Sequence, residues 1–298
     1  MTEQTTSPQP SEARPRLPAW FRVRAPGGEN FVHLANLLRG NGLHTVCEEA
    51  HCPNIGECWE GRTATFMVLG DICTRACRYC AVTSGRPLGL DLEEPERLAR
   101  TVERLSLRYC VITSVNRDDL PDGGAFIFAQ CVQKIRERLQ ECKVEVLIPD
   151  FQGMGLRGMV RAQPDVLNHN IETVRRVFHS VRPKGSYDYS LELLRRVKEL
   201  DPAMATKSGM MVGLGETWSE VLETMGDLRS VACDLLTIGQ YLRPSQKHAP
   251  IERFYTPQEF AALRDEGLAM GFKHVAAGPL VRSSYHAGEQ HAAALALG

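Results

Sequence analysis

Residues 63–80 read T-A-T-F-M-V-L-G-D-I-C-T-R-A-C-R-Y-C, and this stretch decides the fold. Its first part, 63–70, is an apolar run of the kind that forms a buried strand. Cys73, Cys77 and Cys80 follow in a loop with the spacing Cys-x3-Cys-x2-Cys. A charged helical pattern then covers 92–107. The stretch therefore predicts a strand, a thiol-bearing loop and a helix.

The alternation of strand and helix patterns continues along the chain. Further apolar runs predict strands near 109–115, 143–149, 165–170, 206–213, 234–239 and 273–278. Helical patterns separate most of these strands, at 122–141, 188–200, 217–230 and 256–270. Such alternation implies parallel strands with right-handed crossovers, and six or seven units predict a full or partial α/β barrel. In such folds the chemistry collects at the carboxyl ends of the strands.

The composition is that of an ordinary globular protein. The chain has 298 residues, of which 43% are hydrophobic and 24% charged, so it can bury a large core. Its net charge of -1 gives no general attraction to nucleic acid or to an anionic membrane. The sequence shows no long apolar span and no secretory signal. It therefore predicts a soluble, cytoplasmic protein without nucleic-acid or membrane partners.

The first residues differ from the rest of the chain. Residues 1–16 are rich in Pro, Ser, Thr, Gln and Glu and predict a disordered tail. Glu3 and Glu12 argue against a mitochondrial transit peptide, because that class is poor in acids. From residue 17 to residue 61 the pattern is irregular and predicts a ligand-bearing extension without clear helical or strand periods.

Ten cysteines are many for a chain of this length, and six of them lie between residues 47 and 80. Disulfides typify short secreted proteins, so ligation of a metal or cluster is the better interpretation here. Cys73, Cys77 and Cys80, the first triad, can hold three irons of a 4Fe–4S cluster and leave one iron open. A structural zinc site is the alternative, but such sites usually pair two Cys-x2-Cys knuckles.

A second triad, Cys47, Cys52 and Cys58, occurs in C-E-E-A-H-C-P-N-I-G-E-C-W. This triad is also one ligand short of four. His44 and His51 lie close by in sequence and are candidate ligands, although a histidine near cysteines is more often a surface side chain. Two separate triads predict two clusters with different roles.

The two triads together resemble the lipoyl synthase family of the radical S-adenosylmethionine (SAM) superfamily. Further motifs of that family follow in the same order: T-S-V-N-R-D-D-L-P-D-G-G-A (113–125), N-H-N-I-E-T-V (168–174), V-R-P (181–183), K-S-G-M-M-V-G-L-G-E-T (207–217) and G-P-L-V-R-S-S-Y-H-A (278–287). The resemblance implies an α/β fold, a partial (β/α)6-type barrel of the radical SAM kind, with N-terminal and C-terminal extensions that carry an auxiliary cluster. The predicted divisions are a tail at 1–16, an N-terminal extension at 17–61, the barrel at 62–278 and a C-terminal segment at 279–298.

The resemblance also implies the activity. In this family a cluster on the first triad cleaves SAM to a 5'-deoxyadenosyl radical, which removes hydrogen from carbons 6 and 8 of a protein-bound octanoyl group. A sacrificed auxiliary 4Fe–4S cluster, here on the second triad, supplies the two sulfur atoms. Its fourth ligand would be a serine of the R-S-S-Y motif, and we favour Ser284 over Ser283. The interpretation without the resemblance is a polar turn whose hydroxyls cap nearby backbone.

The resemblance further implies binding residues and partners. At the end of a predicted strand, polar side chains at 168–172 are candidates to contact SAM, and the expected cofactor contacts are Tyr79, Asn170, Glu172 and Arg182. Arginine also suits pairing with a carboxylate. The implied partners are octanoylated lipoyl carrier domains (2-oxoacid dehydrogenase E2 subunits and the glycine cleavage H protein), a low-potential electron donor such as ferredoxin or flavodoxin, and iron–sulfur delivery proteins.

Two other functions remain as alternatives. Another radical SAM sulfur-inserting enzyme, such as a biotin synthase or a methylthiotransferase, would not be expected to pair the second triad with R-S-S-Y-H-A. A non-catalytic electron carrier or sensor has no need of an open iron or of a barrel this large.

Three other features of the sequence give weaker indications of function. The turn from Gly213 to Gly215 lacks the full pattern of a phosphate loop and predicts a tight turn where backbone approaches the cofactor. The adjacent Asp118 and Asp119 predict a solvated or capping turn more than an acid–base pair. The four remaining cysteines lack ligand spacing and are predicted to be packed thiols: Cys110, Cys131, Cys142 and Cys233.

Overall fold

The computed structural model describes residues 17–23, 26–50, 52–60 and 63–296. The strands are β1 (His44–Thr45), β2 (Thr65–Val68), β3 (Ile72–Cys73), β4 (Thr83–Ser84), β5 (Tyr109–Ser114), β6 (Lys143–Leu147), β7 (Val166–Asn168), β8 (Ala205–Val212), β9 (Leu235–Gln240) and β10 (His274–Gly278). The helices are α1 (Glu29–Gly40), α2 (Val46–Glu49), α3 (Ile55–Glu60), α4 (Glu94–Arg104), α5 (Ala125–Arg138), α6 (Gly153–Arg161), α7 (Arg175–Val181), α8 (Tyr187–Leu200), α9 (Trp218–Ser230), α10 (Pro257–Ala269) and α11 (Ala287–Leu295). The predicted tail at 1–16 lies outside the described residues.

The main sheet has eight strands in the order β1-β2-β5-β6-β7-β8-β9-β10. Every neighbouring pair from β2 to β10 is parallel, and β1 alone pairs antiparallel, with β2. Within the described residues β1 and β10 form the two edges, so the barrel is partial. The prediction of parallel strands in a partial α/β barrel is confirmed, with seven parallel strands.

Burial explains why the predicted strands form. All four residues of β2 and all six residues of β9 are buried. Parallel strands covered on both faces take such continuous apolar runs. The helices on the outer side supply the covering layer, and their start signals are clear. Thr217 and Thr256 form capping boxes with Glu220 and Glu259 at the starts of α9 and α10.

The prediction that 17–61 is irregular is wrong for residues 29–40, 46–49 and 55–60, which form α1, α2 and α3. Leu34, Ala35 and Leu38 recur at helical spacing and are buried. The rings of Phe31 and Trp59 pack with centroids 5.0 Å apart, which joins α1 to α3. Six other short elements missed by the sequence analysis also lie in the described chain: β1, β3, β4, α6, α7 and α11.

The C-terminal helix α11 packs against the concave side of the barrel. Ala294 contacts Val166 and Leu235 near the amino ends of β7 and β9. The His291 and Tyr109 rings lie with centroids 5.9 Å apart. This helix therefore covers the barrel at the amino ends of the strands. The segment before it, 279–286, extends toward the carboxyl ends of the strands.

A buried ion pair crosses the barrel interior beside α11. Lys207 Nζ lies 3.1 Å from Glu145 Oε1, and both side chains are 1% exposed. Tyr109 Oη donates a hydrogen bond to Glu145 Oε2 at 2.9 Å.

In the described part of the chain, no helix combines the length and the apolar character needed to cross a bilayer.

Candidate functional site

The first cysteine triad lies in the loop after β2, at the carboxyl end of the barrel. The short parallel pair of β3 and β4 closes this loop, with Cys73 opposite Ser84. The Cys73 sulfur accepts hydrogen bonds from the backbone N–H groups of Arg75 at 3.4 Å and Asn116 at 3.3 Å. Cys80 N donates to Cys77 O at 3.1 Å, which makes a tight turn between the last two thiols. All three thiols are free of disulfides.

Ion pairs fix the loop to the neighbouring strand ends. Arg75 forms salt bridges with Asp118, at 2.8 Å, and with Asp150. Asp119 pairs with Arg117 at 2.8 Å. The hydrogen bond from Arg75 lowers the pKa of Asp118, and the one from Arg117 lowers the pKa of Asp119. The two adjacent carboxylates thus hold the loops in place as anions and are not a coupled acid–base pair.

Tyr79, Asn170 and Glu172 come together above the sheet. All three line a cavity of about 190 Å³ that also contains the first triad. The Asn170 Oδ1 atom is buried without a hydrogen-bond partner in the described residues. Burial raises the pKa of the Glu172 carboxyl, and the nearby Arg182 guanidinium offsets this only in part. An unpaired acceptor beside a buried carboxyl suits a ligand that donates hydrogen bonds.

Glu172 owes its direction to an unusual backbone conformation. Its φ is 68°, in the left-handed region that non-glycine residues seldom adopt. Its N–H donates to Gly209 O and its carbonyl accepts from Met211 N, so it forms an isolated bridge to β8. Asn168, by contrast, points down into the barrel and donates from Nδ2 to Glu145 Oε1 at 3.0 Å. Asn168, which the sequence also made a candidate for contact with SAM beside Asn170 and Glu172, therefore does not reach the cavity.

Arg182 forms a salt bridge with a carboxylate of the protein itself, that of Asp150. Its Nη2 lies 2.8 Å from Asp150 Oδ1, and both side chains are almost fully buried. His169 Nε2 lies 3.5 Å from the same oxygen. Burial lowers the pKa of His169 to about 4. Arg182 still lines the cavity of the first triad, and one guanidinium can serve both Asp150 and a bound anion.

The second triad is built by two short helices. Cys47 lies in α2, Cys58 lies in α3, and Cys52 occupies the turn between them. Cys52 N donates to Cys47 O at 3.0 Å, and Cys58 N donates to Asn54 O at 2.9 Å. Burial raises the pKa of Cys47 to about 11 and that of Cys58 to about 12, and the neighbouring thiols act in the same direction. The three sulfurs are therefore close enough to interact.

The C-terminal R-S-S-Y motif packs against the second triad. Tyr285 Oη donates to Glu57 Oε1 at 3.1 Å. Arg282 lies near the Cys52 sulfur. Burial lowers the pKa of the Arg282 guanidinium, and the negative charge of Cys52 acts in the opposite direction. In the described chain the hydroxyls of Ser283 and Ser284 have no hydrogen-bond partner, so they do not cap the backbone. The sequence alternative of a self-capped polar turn is therefore not what the structure has.

A cavity of about 430 Å³ joins these parts. Its wall contains residues of both triads, the two serines and the strand-end side chains: Cys47, Cys52, Cys58, Tyr79, Cys80, Asn170, Glu172, Ser283 and Ser284. The volume falls within the range of about 300–1,000 Å³ that is usual for small-molecule pockets. A molecule in this cavity would have the second triad on one side and Cys80 of the first triad on the other.

The donor set suits iron–sulfur clusters better than single ions. Within the described residues no three His, Cys, Asp or Glu side chains converge on one ion position. A zinc ion needs its ligands at about 2.0–2.3 Å from a single centre, whereas the thiolates of a cluster bind different irons. Burial disfavours free thiolates, as the raised pKa of Cys80, about 12, shows, and a cationic cluster reverses that preference.

His44, one of the two histidines proposed near the second triad, does not complete it. His44 Nδ1 lies 3.3 Å from Glu49 Oε1 and its side chain lines a different recess. His51 lies outside the described residues. The four cysteines predicted to be packed thiols are all buried, which confirms that prediction.

Sequence reasoning missed several side chains of the shared cavity. Met211, at the end of β8, and Gln240, the last residue of β9, both contribute to its wall. A polar residue at a strand end was the available signal for Gln240.

The turn at Gly213 is tight, as predicted from sequence. The backbone N–H of Gly213 donates to the Glu216 carboxylate at 2.6 Å. Its close neighbours are Gln240 and Arg253, which a Cβ at Gly213 would meet.

Comparison with known proteins gives two family matches. The model of the radical SAM superfamily matches residues 67–228, and that of the N-terminal domain of lipoyl synthase matches residues 2–52. The chain is 58% identical over 275 residues to the lipoyl synthase of Rubrobacter xylanophilus, with 92% of this chain and 86% of that protein covered. It is also 58% identical over 292 residues to the lipoyl synthase of Symbiobacterium thermophilum, with 96% and 91% covered.

Solved structures agree on the fold. Methylornithine synthase superposes with a TM-score of 0.54 at 16% identity, covering 66% of this chain and 60% of that one. SuiB of Streptococcus suis bound to S-adenosylmethionine gives a TM-score of 0.53 at 9% identity, covering 80% and 52%. At such identities these structures speak for the fold alone.

Proposed function

Because the chain belongs to the lipoyl synthase family of the radical SAM superfamily, we propose that its two triads hold the family's two 4Fe–4S clusters. Cys73, Cys77 and Cys80 bind the cluster that interacts with SAM. The second triad, Cys47, Cys52 and Cys58, binds the auxiliary cluster. The assignment follows the position of the first triad at the carboxyl ends of the strands, where barrel enzymes bind cofactors.

The activity is that of a lipoyl synthase, a sulfurtransferase that converts a protein-bound octanoyl group into a lipoyl group with SAM and two 4Fe–4S clusters. When bound, these cofactors supply a 5'-deoxyadenosyl radical for hydrogen removal at carbons 6 and 8, and the two sulfur atoms. The protein contributes positioning and electrostatics.

One observation carries the assignment of the two triads: the second triad and Cys80 of the first triad line the same cavity. Cys80 and Tyr79 lie on one wall, and Cys47, Cys52 and Cys58 lie on another. An octanoyl chain in the cavity would have the radical source on one side and the sulfur source on the other. Sites with reacting groups held at either side of a substrate gain rate by proximity.

The strand-end residues bind SAM in this proposal. The unpaired Asn170 Oδ1 accepts a hydrogen bond from a ribose hydroxyl or from the methionyl amine. The Glu172 carboxyl, buried nearby, accepts a second one. Arg182, held at 2.8 Å by Asp150, presents positive charge to the methionyl carboxylate. Tyr79 packs beside them from the cysteine loop.

A serine of the C-terminal segment completes the second site. Ser283 and Ser284 both reach the cavity wall with free hydroxyls. We assign Ser284 as the fourth ligand of the auxiliary cluster. An alkoxide is a harder ligand than thiolate and binds iron–sulfur sites less well, so it can leave when the cluster is opened.

The remaining assignments concern organisation and partners. Lipoyl carrier domains are the substrates of this family, and here we propose E2 subunits of 2-oxoacid dehydrogenases and the glycine cleavage H protein. A low-potential donor such as ferredoxin or flavodoxin supplies electrons, and delivery proteins rebuild the auxiliary cluster. The divisions at residues 17, 62 and 279 and a cytoplasmic location belong to the same proposal.

The test begins with anaerobic reconstitution of the chain with iron and sulfide. The loaded protein is incubated with reductant, SAM and an octanoyl-lysyl peptide, and mass spectrometry follows both the peptide and the nucleoside. We expect a gain of two sulfur atoms together with release of 5'-deoxyadenosine. Release of 5'-deoxyadenosine without sulfur gain would overturn the substrate assignment.

Three variants separate the roles of the triads. Cys80→Ala should abolish 5'-deoxyadenosine release, because the SAM-binding cluster is lost. Cys58→Ala should retain that release but transfer no sulfur. Cys142→Ala removes a buried thiol outside both triads and should retain both products. If Cys58→Ala still transferred two sulfur atoms, the auxiliary role of the second triad would be wrong.

A further inference from the structure

The loop of the first triad has an inner and an outer face. Cys77, Tyr79 and Cys80 line the cavities described above, whereas Arg78 contributes to neither of these two cavities and is exposed. Arg78 N donates to Val181 O at 2.8 Å, so the outer face packs beside the end of α7. The side chain of Arg78 therefore marks the solvent side of the cluster loop.

Three more cations surround this position. Lys184 Nζ donates to Thr74 O at 3.1 Å, at the start of the cysteine loop. Arg243 Nε donates to His248 O at 3.0 Å, and His248 Nε2 lies 2.9 Å from Cys80 O. Lys247 precedes His248 and is exposed. Together, Arg78, Lys184, Arg243 and Lys247 form what we call the basic surface, and Arg243, which also lines the cavity of about 430 Å³, lies where this surface meets the cavity.

The charges of the basic surface are not neutralised from within. The side-chain hydrogen bonds of Arg78, Lys184 and Arg243 go to backbone carbonyl oxygens. In the described part of the chain, none of the four cations has a carboxylate within salt-bridge distance. Asp118 interacts electrostatically with Lys184 but already forms a salt bridge with Arg75. Four unpaired cations in a chain of net charge -1 form a local positive field.

We propose that the basic surface docks a negatively charged one-electron donor protein, an inference that rests on the proposed function of the first triad. The surface lies on the outer side of the loop that bears Cys77 and Cys80, and His248 beside it lies 2.9 Å from Cys80 O, so a protein bound there would be separated from the thiols by this loop alone. Electron transfer slows steeply with distance, so this is the favourable side for a donor too large to enter the cavity.

The charge pattern suits a transient partner. Electrostatic complementarity raises association rates more than affinity, and weak electron-transfer encounters bury small interfaces. On each encounter the donor is oxidised by one electron and the cluster on the first triad is reduced by one. No bond to the protein forms or breaks. The donor then leaves, which an interface of exposed, screened charges permits.

The test measures reduction of the cluster in the reconstituted, cluster-loaded protein. A reduced flavodoxin of net negative charge is mixed with it anaerobically in a stopped-flow instrument, and the absorbance of the cluster is followed. The variants are Lys247→Glu and Lys184→Gln/Lys247→Glu. The control is Arg157→Glu/Arg161→Gln on α6, which makes the same change of charge at two exposed arginines away from the basic surface.

We expect the double variant to lower the second-order rate about tenfold at low ionic strength, since steering changes association rates by about 10–1,000-fold. The control should stay near the wild-type rate. At about 1 M salt, where the screening length is about 3 Å, the difference in rate between the double variant and its control should disappear. Reduction by photoreduced deazaflavin, a small molecule that needs no docking, should be equal in all variants.

Two results would overturn the proposal. One is an equal flavodoxin rate for the double variant and its control. The other is an unchanged flavodoxin rate with weaker binding of an octanoylated carrier domain, which would make the basic surface a substrate dock. Failure of the proposed function would look different, because the cluster would then be reduced in every variant without cleavage of SAM.

Discussion

The side-chain amide of Asn54 donates a hydrogen bond to the carbonyl oxygen of Leu280 at 2.7 Å, across 226 residues of sequence. Asn54 lies between Cys52 and Cys58 and is buried, at 3% exposure. Leu280 precedes the R-S-S-Y motif. This contact therefore joins the two segments that the second site needs, one from each end of the chain.

Asn54→Ala should weaken the second site and leave the first one intact. The change leaves the Leu280 carbonyl without its partner, at a cost of about 1–3 kcal/mol if no water replaces the amide. We expect a lower thermal midpoint and faster loss of iron from the auxiliary cluster to a chelator. The control is Asn41→Ala, which removes an amide that donates to Leu37 O at the end of α1. Equal iron loss in the two variants would contradict this role of Asn54.

The two serines should differ on substitution. If Ser284 is the ligand, Ser284→Ala should speed loss of the auxiliary cluster by at least about tenfold, since even outer-shell changes around metals cost that much. Ser283→Ala is the matched control and should retain the cluster. Iron and sulfide content after timed chelator exposure measures both. A reversed order would assign the ligand to Ser283.

Gly209 should control SAM affinity through Asn170. A Cβ at Gly209 would lie 2.7 Å from Asn170 Oδ1 and 2.8 Å from Thr237 Oγ1, closer than real contacts allow. Gly209→Ala therefore displaces Asn170 or strains β8, and overpacking of this kind costs about 1–3 kcal/mol. We expect SAM to bind about tenfold more weakly in equilibrium dialysis, which corresponds to about 1.4 kcal/mol.

Gly226→Ala provides the control for that substitution. A Cβ at Gly226 meets no atom within 4 Å. Since alanine is favoured over glycine inside a helix by about 0.5–1 kcal/mol, this variant should be slightly more stable and bind SAM normally. Unchanged SAM affinity in Gly209→Ala would show that Asn170 does not contact the cofactor.

His169 should make folding stability depend on pH between about 4 and 6.5. An unfolded histidine binds a proton below about pH 6.5, whereas burial keeps native His169 neutral down to about pH 4. In this window the unfolded state binds more protons, so the free energy of unfolding falls as the pH falls. The slope is at most about 1.4 kcal/mol per pH unit, or about 3 kcal/mol in all.

Urea unfolding of the reduced apo-protein at several pH values measures that slope. His169→Gln should lose this component of the pH dependence. His179→Gln, at an exposed position on α7, should keep it. Parallel curves for wild type and His169→Gln would refute the assignment.

The sequence by itself determined the barrel and the thiol groups. Seven apolar runs separated by helical patterns predicted the parallel strands, because a strand buried on both faces needs continuous apolar residues and so leaves a local signal. The spacing of Cys73, Cys77 and Cys80 predicted the first triad, because one short loop carries all three cysteines and their spacing is therefore also a local signal. The missed helix α1 also had a local signal, with Leu34, Ala35 and Leu38 on one face.

Only the tertiary structure decided how these parts meet. No periodicity shows that Asn54 bonds to Leu280, that Arg182 pairs with Asp150, or that Asn168 turns away from the cavity. Such contacts join residues far apart in sequence, and their energies depend on burial that arises only when the strands have assembled. The position of Cys80 and the second triad on the walls of one cavity is a property of that assembly, because the cavity is lined by segments on both sides of the barrel in sequence as well as by the strand ends.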